Sequence, residues 1–372
     1  MKIIADREKL LACFQTAATV APTRSPKPIL QNVKLETTES GSTFIATDLE
    51  VGIRLNVPGI QVETTGVVLL PERQFGSILR ESTDEKLSIE SNDQGTVVRG
   101  DRSNFQLASE DPDEFPEVVV FEEEKYHEVP ARLFKELIRR TAFATDTESS
   151  RYALGGIMLE LEEDKIIGVG TDGRRLAKME GPAQSVGGHV SNNSQTIVPT
   201  RSMQLIDKAL FDDDAEIKVA ARANDLLVKS SRATIFSRLV EGRFPKWRDV
   251  IPQWQDAQSI ELAVGPFFSA LRQVAIVSSE ESRGIDFIFE EGSLELSGST
   301  AEIGNARVSM PITYSGPSIQ ITLDHRYVGD FLKVLDPEKS FTLGIRDSES
   351  AGYCSTDDGY GYVVMPLAKD RP

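Results

Sequence analysis

Cysteine is nearly absent: the 372 residues hold two, Cys13 and Cys354, near opposite ends of the chain. Two distant thiols make no disulfide framework, redox pair or zinc spacing, and a reduced compartment, the cytoplasm, is the expected setting. Histidine is almost as scarce. His127, His189 and His325 stand apart from one another and from the cysteines, so they support neither a metal site nor a Ser-His-Asp triad and are expected on the surface. Long apolar runs are missing too. No stretch approaches the ~18 residues of a membrane span, and the opening MKIIADREKLLACF puts charges where a signal peptide needs an apolar stretch. A surplus of basic residues is also lacking. Against 58 acidic side chains there are 41 basic ones, a net charge of −17, which argues against wrapping nucleic acid by bulk electrostatics but leaves room for a local cationic lining.

Core material is sufficient: 40% of residues are hydrophobic and 27% charged, and the length exceeds what one core supports, so two or three domains are expected. The chain repeats itself. ADREKLLACFQTAA (5–18) places Leu10, Cys13, Phe14 and Ala17 at helical spacing, and PARLFKELIRRTA (130–142) does the same with Phe134, Leu137, Ile138 and Thr141. GPFFSALRQVAIV (265–277) is a third version. Each leads into an alternating strand, at 29–36, 154–162 and 284–292, then into a strand bent around small residues, at 44–55, 166–179 and 294–310. Thr47 and Thr171 hold corresponding places in the first two of these bends. A strand then runs into a second helix that opens near Arg73, Arg201 or Arg326, with Pro71 and Pro199 where a helix start tolerates a missing N–H.

Paired strands close each copy, and the first two copies run on into the matching segments DEFPEV (113–118) and GRFPKW (242–247). The result is an α+β architecture of three tandem pseudo-repeat domains, at 1–124, 125–256 and 257–372, each looking like a smaller helix-plus-strands unit used twice. Equal modules with exposed strand edges favour edge-to-edge pairing into a curved continuous sheet with the helices on one face.

Charge is segregated along this plan. Exposed helix positions are basic (Arg7, Lys9, Arg80, Lys135, Arg139, Arg140, Lys208, Arg272 and Lys333), while EDPDEFPEVVVFEEE (110–124) carries eight acids and no base. Solvated helix faces explain such a pattern. So does a helix-lined side that meets phosphates while the exterior repels them. No helix-turn-helix, zinc finger or RNP-like strand is present, so any DNA contact is expected to be independent of sequence. GVGTDG (168–173) satisfies the dinucleotide-binding spacing, but RRLAKMEGP after it alternates like a strand, and the fingerprint needs a helix there. The acid pairs and triplets, such as Asp212 to Asp214, read as solvated loops before they read as Mg²⁺ ligands. No cofactor or metal is expected. Val363, Val364, Met365 and Leu367 in the final strand are open to two readings, a buried last strand or a pocket for an apolar peptide.

SPKPILQNVKLE, FIATDLEVGIRL, VGTDGRRLA, EGRFPKWRDVIP and the terminal YVVMPL, in this order, closely resemble the bacterial DNA polymerase III beta subunit family, the sliding clamps, over the whole chain. The resemblance implies a DNA-clamp fold in which the three domains form half of a closed ring, helices inside and sheets outside. It also implies a head-to-tail homodimer around duplex DNA and no catalytic activity. The polymerase is then tethered by topology, an effective-concentration device.

Residue by residue, the resemblance places DNA contacts at Arg24, Arg73 and a loop of Glu148, Arg151, Tyr152 and Ala153, where Glu148 is often a neutral residue and Ala153 replaces a second aromatic. It places a partner-peptide cleft at Leu154, Thr171, Gly173, Arg174, Arg175, Leu176, Pro245, Val250, Val363, Val364, Met365, Pro366 and Leu367. Arg174 stands where a His is common, Asp249 where a basic residue can occur, and Ala368 to Pro372 extend past the usual end. The implied partners are double-stranded DNA, a second copy, the polymerase III alpha subunit, the clamp-loader delta subunit, and other polymerases and repair proteins that carry a short apolar motif; no membrane is implied. The contrasting reading is a non-catalytic repeat scaffold that binds proteins only, favoured by the net acidity.

Overall fold

The computed structural model describes residues 1–92, 95–108, 110–146, 148, 153–191, 196–213, 215–254, 257–279 and 283–367. Among the described residues six α-helices appear where the three-fold pattern places them: Arg7–Ala18 and Glu72–Glu81, Ala131–Thr141 and Thr200–Ala209, Val264–Val274 and His325–Lys333. Their starts follow local chemistry. The side chains of Asp6 and Asp324 accept the backbone N–H of Lys9 and Arg326 at 3.0 and 2.9 Å, and Pro71 and Pro199 sit at the caps of the second and fourth helices. Among the described residues no helix is long and apolar enough to cross a membrane.

The backbone packs into two compact units, which share the middle copy. The first comprises Met1–Lys135, Leu161–Asp164 and Ala183–Val240. Its nine-stranded sheet runs in the order 184–186, 126–130, 216–221, 225–229, 233–238, 51–56, 41–47, 32–38, 66–71, so strands of the middle copy continue directly into strands of the first. The seam is the antiparallel pair in which Leu55 faces Ala233, Ile53 faces Ile235 and Val51 faces Ser237. A five-stranded sheet in the same unit ends at the edge strand Asn104–Leu107. Helix Arg7–Ala18 is fixed through Phe14, whose ring meets Phe44 edge-on at 5.5 Å and Phe75 at 4.9 Å.

The second unit comprises Glu136–Glu160, Lys165–Pro182 and Glu241–Pro372. Within it one sheet runs 156–161, 165–171, 175–182, 360–364, 352–355, 340–345, 258–263, and the seam has the same form: Arg175 faces Val364 and Ala177 faces Tyr362. A four-stranded sheet ends at the edge strand Gly304–Pro311. Phe331 of the last helix stacks on Tyr362 at 4.9 Å.

GVGTDG resolves into a hairpin. Strand Lys165–Thr171 turns at Asp172-Gly173 and returns as strand Arg175–Pro182, so no helix N-terminus follows the glycines. The glycines serve packing instead. A Cβ on Gly168 would lie 2.3 Å from Leu137 Cδ2, and one on Gly170 would lie 2.3 Å from the Thr141 carbonyl, so only glycine lets the helix rest on this strand.

The histidine expectation is overturned. His127 and His189 are both buried and in direct contact, Nδ1 to Nδ1 at 2.7 Å, because the strand Tyr126–Pro130 pairs with Gln184–Val186 and His189 follows three residues after that strand. One neutral arrangement satisfies both rings. His127 Nε2–H donates to the Glu162 carbonyl at 2.5 Å, its Nδ1 accepts from His189, and His189 Nε2 accepts the Ala221 N–H at 3.2 Å. Burial, opposed by the bond to Glu162, lowers the His127 pKa below the usual 6.5. A depressed folded pKa means that stability is fully present above the unfolded value and is lost as pH falls through the folded one. The urea midpoint should therefore decline from just below pH 6.5 downwards, less steeply in His127→Gln; parallel curves for the two proteins would refute the assignment.

Candidate functional site: a turn, a last strand and their neighbours

Thr171–Arg175 forms a tight turn in the second unit. Gly173 takes φ of 85°, a conformation that strains any side chain. Asp172 Oδ1 accepts the N–H groups of Arg174 and Arg175 at 2.9 and 3.0 Å, while Thr171 Oγ1 donates to the Arg175 carbonyl at 2.6 Å. The last strand is laid against this turn. Met365 N–H donates to the Arg174 carbonyl at 3.0 Å, and Leu367 N–H to the Thr322 carbonyl at 2.9 Å, which carries residues 365–367 across two elements.

The residues that the resemblance assigns to a cleft divide between buried and exposed. Leu154, Thr171, Leu176, Val363 and Val364 are buried, Pro245 and Pro366 half-buried. Gly173 and Arg174 are exposed, as are Val250, Met365 and Leu367, the last three at 42, 43 and 37%. The final strand thus realises both of its readings, with Val363 and Val364 in the core and Met365 and Leu367 in water. Pro245 and Val250 flank the short 3-10 turn Trp247–Asp249, which is moored to Glu160 by Trp247 Nε1 at 3.0 Å and by both terminal nitrogens of Arg248 at 2.9 and 2.6 Å.

Arg175 is a brace. Its Nε donates to Asp172 at 3.0 Å, Nη1 to Asp330 at 2.8 Å and Nη2 to the Phe143 carbonyl at 2.6 Å, and the guanidinium lies 4.5 Å over the Tyr327 ring. Burial opposes the charge, but the bonds to Asp330 and its neighbours outweigh it and hold the guanidinium pKa above its ordinary range. The more exposed Arg174 is also raised, chiefly by a side-chain bond to Tyr327. Asp330, Tyr327, Phe143 and Glu160 were not legible as site residues. Each acts through an approach between distant segments, and only the Thr-Asp-Gly turn signal lay in the local sequence.

Of the positions that the resemblance assigns to DNA, Arg24 and Arg73 are exposed and make no ion pair among the described residues; Arg73 lies in the first turn of helix Glu72–Glu81. Glu148 is exposed, and its N–H donates to Asp146 at 3.0 Å. Arg151 and Tyr152, like Ala368 to Pro372, lie outside the described residues. The Ala153 methyl is buried, 3.3 Å from where a Cβ on Gly242 would sit. Several of the basic helix positions are engaged: Lys135 pairs with Asp213, Arg139 with Glu136 and Lys333 with Asp330. Arg7 donates to the Asp84 and Leu79 carbonyls, and Arg140 is engaged by Glu136 and by Asp358 at 2.9 and 2.8 Å. Among the described residues no three or more His, Cys, Asp or Glu side chains are grouped to hold a metal.

Three family models match in series: the N-terminal domain of the DNA polymerase III beta subunit at 1–119, its central domain at 128–246 and its C-terminal domain at 248–367. The beta sliding clamp of Chlamydia pneumoniae is 30% identical, with 99% of each chain covered. The chain belongs to the DNA polymerase III beta subunit family. The beta sliding clamp of Escherichia coli K12 is 29% identical over 99% of this chain and 100% of its own. A solved structure, the Pseudomonas aeruginosa sliding clamp bound to griselimycin, superposes with a TM-score of 0.91 at 27% identity, covering 99% of this chain and 100% of that one. The fold is the three-domain clamp fold, and the role is that of a processivity clamp, a non-catalytic accessory subunit of DNA polymerase III.

Removing the brace tests how the turn is held. Arg175→Met leaves the Asp172 and Asp330 carboxylates without their shared cation, and unfolding should become easier by roughly 2–4 kcal/mol, measured by urea titration. A loss well under 1 kcal/mol would show that the ion pairs are solvated and the brace is incidental.

Proposed function

We propose that three tandem clamp domains, 1–124, 125–256 and 257–372, carry the clamp role by closing head-to-tail with a second copy around duplex DNA in the cytoplasm. Exposed Arg24 and Arg73 give the phosphates a cation without reading bases. The 148–153 loop adds Arg151 and Tyr152 to them. The edge strand Asn104–Leu107 carries exposed Phe105 and the edge strand Gly304–Pro311 follows exposed Ile303; Ile276 is exposed as well, at 74%. Two different apolar edges on one chain suit a heterologous joint, which closes into a ring when the rotation allows it.

The observation that carries the partner site is the set of apolar side chains kept in water, Met365, Leu367 and Val250, together with a buried floor of Leu154, Thr171, Leu176, Val363 and Val364. Gly173, Arg174, Pro245 and Pro366 border that floor, and Arg175 holds its turn. An exposed Met is an adaptable anchor for varied apolar peptides. Peptides of the polymerase alpha subunit, the clamp-loader delta subunit and other polymerases and repair proteins are the occupants this reading assigns. Arg174 favours a carboxylate on the bound peptide.

Met365→Ala/Leu367→Ala should weaken binding of a polymerase-derived apolar peptide at least tenfold, by fluorescence anisotropy, while sedimentation still shows a dimer; unchanged affinity would remove the cleft assignment. Separately, Arg24→Glu/Arg73→Glu should shorten retention on nicked circular DNA after clamp loading. Retention equal to the parent's would leave these two arginines without a DNA role and strengthen the protein-only scaffold.

A further inference from the structure

The first unit contains a near copy of the turn at the partner site. Thr47 Oγ1 donates to the Val51 carbonyl at 2.8 Å, and Asp48 Oδ1 accepts the N–H groups of Glu50 and Val51 at 3.0 and 2.8 Å, bond for bond the pattern of Thr171–Arg175. The next copy's strand docks on it in the same way, Arg238 N–H donating to the Glu50 carbonyl at 2.9 Å as Met365 does to Arg174. The seam that carries a rim of exposed apolar groups in the second unit therefore has a structural equivalent here.

Three differences mark this turn. The place of Gly173 is taken by Leu49, which keeps φ at 78° and is the one non-glycine residue with positive φ among the described residues. Its side chain is nevertheless 38% exposed, so a backbone conformation unfavourable for leucine is held without a buried side chain in return. Apolar exposure continues nearby. Val118 covers Gly52, its Cγ1 2.7 Å from where a Cβ would sit, and Val119 and Val120 emerge from that contact into water. Charge is reversed. Glu50 stands where Arg174 stands, and exposed Glu117 and Glu122 bracket the valines. The one cation the structure gives Glu50, Arg238, is 3.6 Å away with both side chains over 60% exposed, a pairing that water screens.

We infer that this first turn is a second docking surface, for an extended partner peptide with an apolar pair between lysines or arginines. Leu49, Val119 and Val120 take the apolar pair, and Glu50, Glu117 and Glu122 take the flanking cations. The surface is opposite in charge preference to the Arg174 rim, so one chain sorts two classes of partner peptide.

The test uses the full chain and a labelled peptide in which Leu-Phe lies between two pairs of lysines, followed by fluorescence anisotropy. Leu49→Gly should weaken binding at least tenfold while the thermal midpoint holds or rises, since glycine accepts this φ freely. A residue kept only for structure would lose stability and leave affinity alone. Glu50→Arg should weaken the same peptide, and Met365→Ala/Leu367→Ala should leave it unchanged. Any of three results overturns the inference: unchanged affinity in Leu49→Gly and Glu50→Arg, equal binding of a peptide with Ser-Ser in place of Leu-Phe, or loss of binding in the Met365/Leu367 variant. The second means bulk attraction to an acidic chain, and the third assigns the peptide to the other turn without touching the reading of that cleft.

Discussion

A strand edge must be satisfied by water, by another molecule or by a neighbouring strand, and in this chain the copies satisfy one another. Strand 51–56 of the first copy pairs with 233–238 of the second, and 175–182 of the second pairs with 360–364 of the third. The middle copy is therefore divided between two compact units, and much else depends on that seam. The turns Thr47–Val51 and Thr171–Arg175 lie at the ends of the seam strands, and in each a carbonyl accepts the residue that leaves the following copy's last strand. The peptide surfaces proposed above both lie where copies are joined by their edges.

Repetition of the backbone has not meant repetition of the side chains. In the second unit the turn is held by a largely buried guanidinium bonded to two carboxylates and a carbonyl, an arrangement whose desolvation cost is offset because each of its three nitrogens finds an acceptor. In the first unit Val51 has the equivalent place, and Asp48 is paired instead with Arg201, 65% exposed, at 3.2 Å. One backbone solution has thus been finished with two chemistries. That frees one turn to present arginine and the other to present leucine and glutamate.

Much of the architecture was legible because it is written in local period and turn chemistry. The apolar positions of the first helices, Leu10, Cys13, Phe14 and Ala17 and then Phe134, Leu137 and Ile138, are the residues found buried. RRLAKMEGP is a strand, as its alternation indicates, and this disposes of the GVGTDG fingerprint. Thr-Asp at 47–48 and at 171–172 announces a bend in both copies. Helix-face charge was less reliable: Arg7 and Arg140 look solvent-bound by spacing, yet each is drawn inward by carbonyls or carboxylates from segments that spacing does not register.

By itself the sequence determined the three-fold repeat, the order of helices and strands, the net acidity and the family, since all of these rest on composition, short-range periodicity and motif order. Only the tertiary structure decided that the middle copy is shared between two compact units, that His127 and His189 meet, that Arg175 braces while Arg174 stays at the rim, and that Val363 and Met365, two residues apart, face core and water. The physical reason is distance along the chain. Arg175 and Asp330 are separated by 155 residues and His127 and His189 by 62, so their contacts are products of strand pairing and packing that no local pattern encodes.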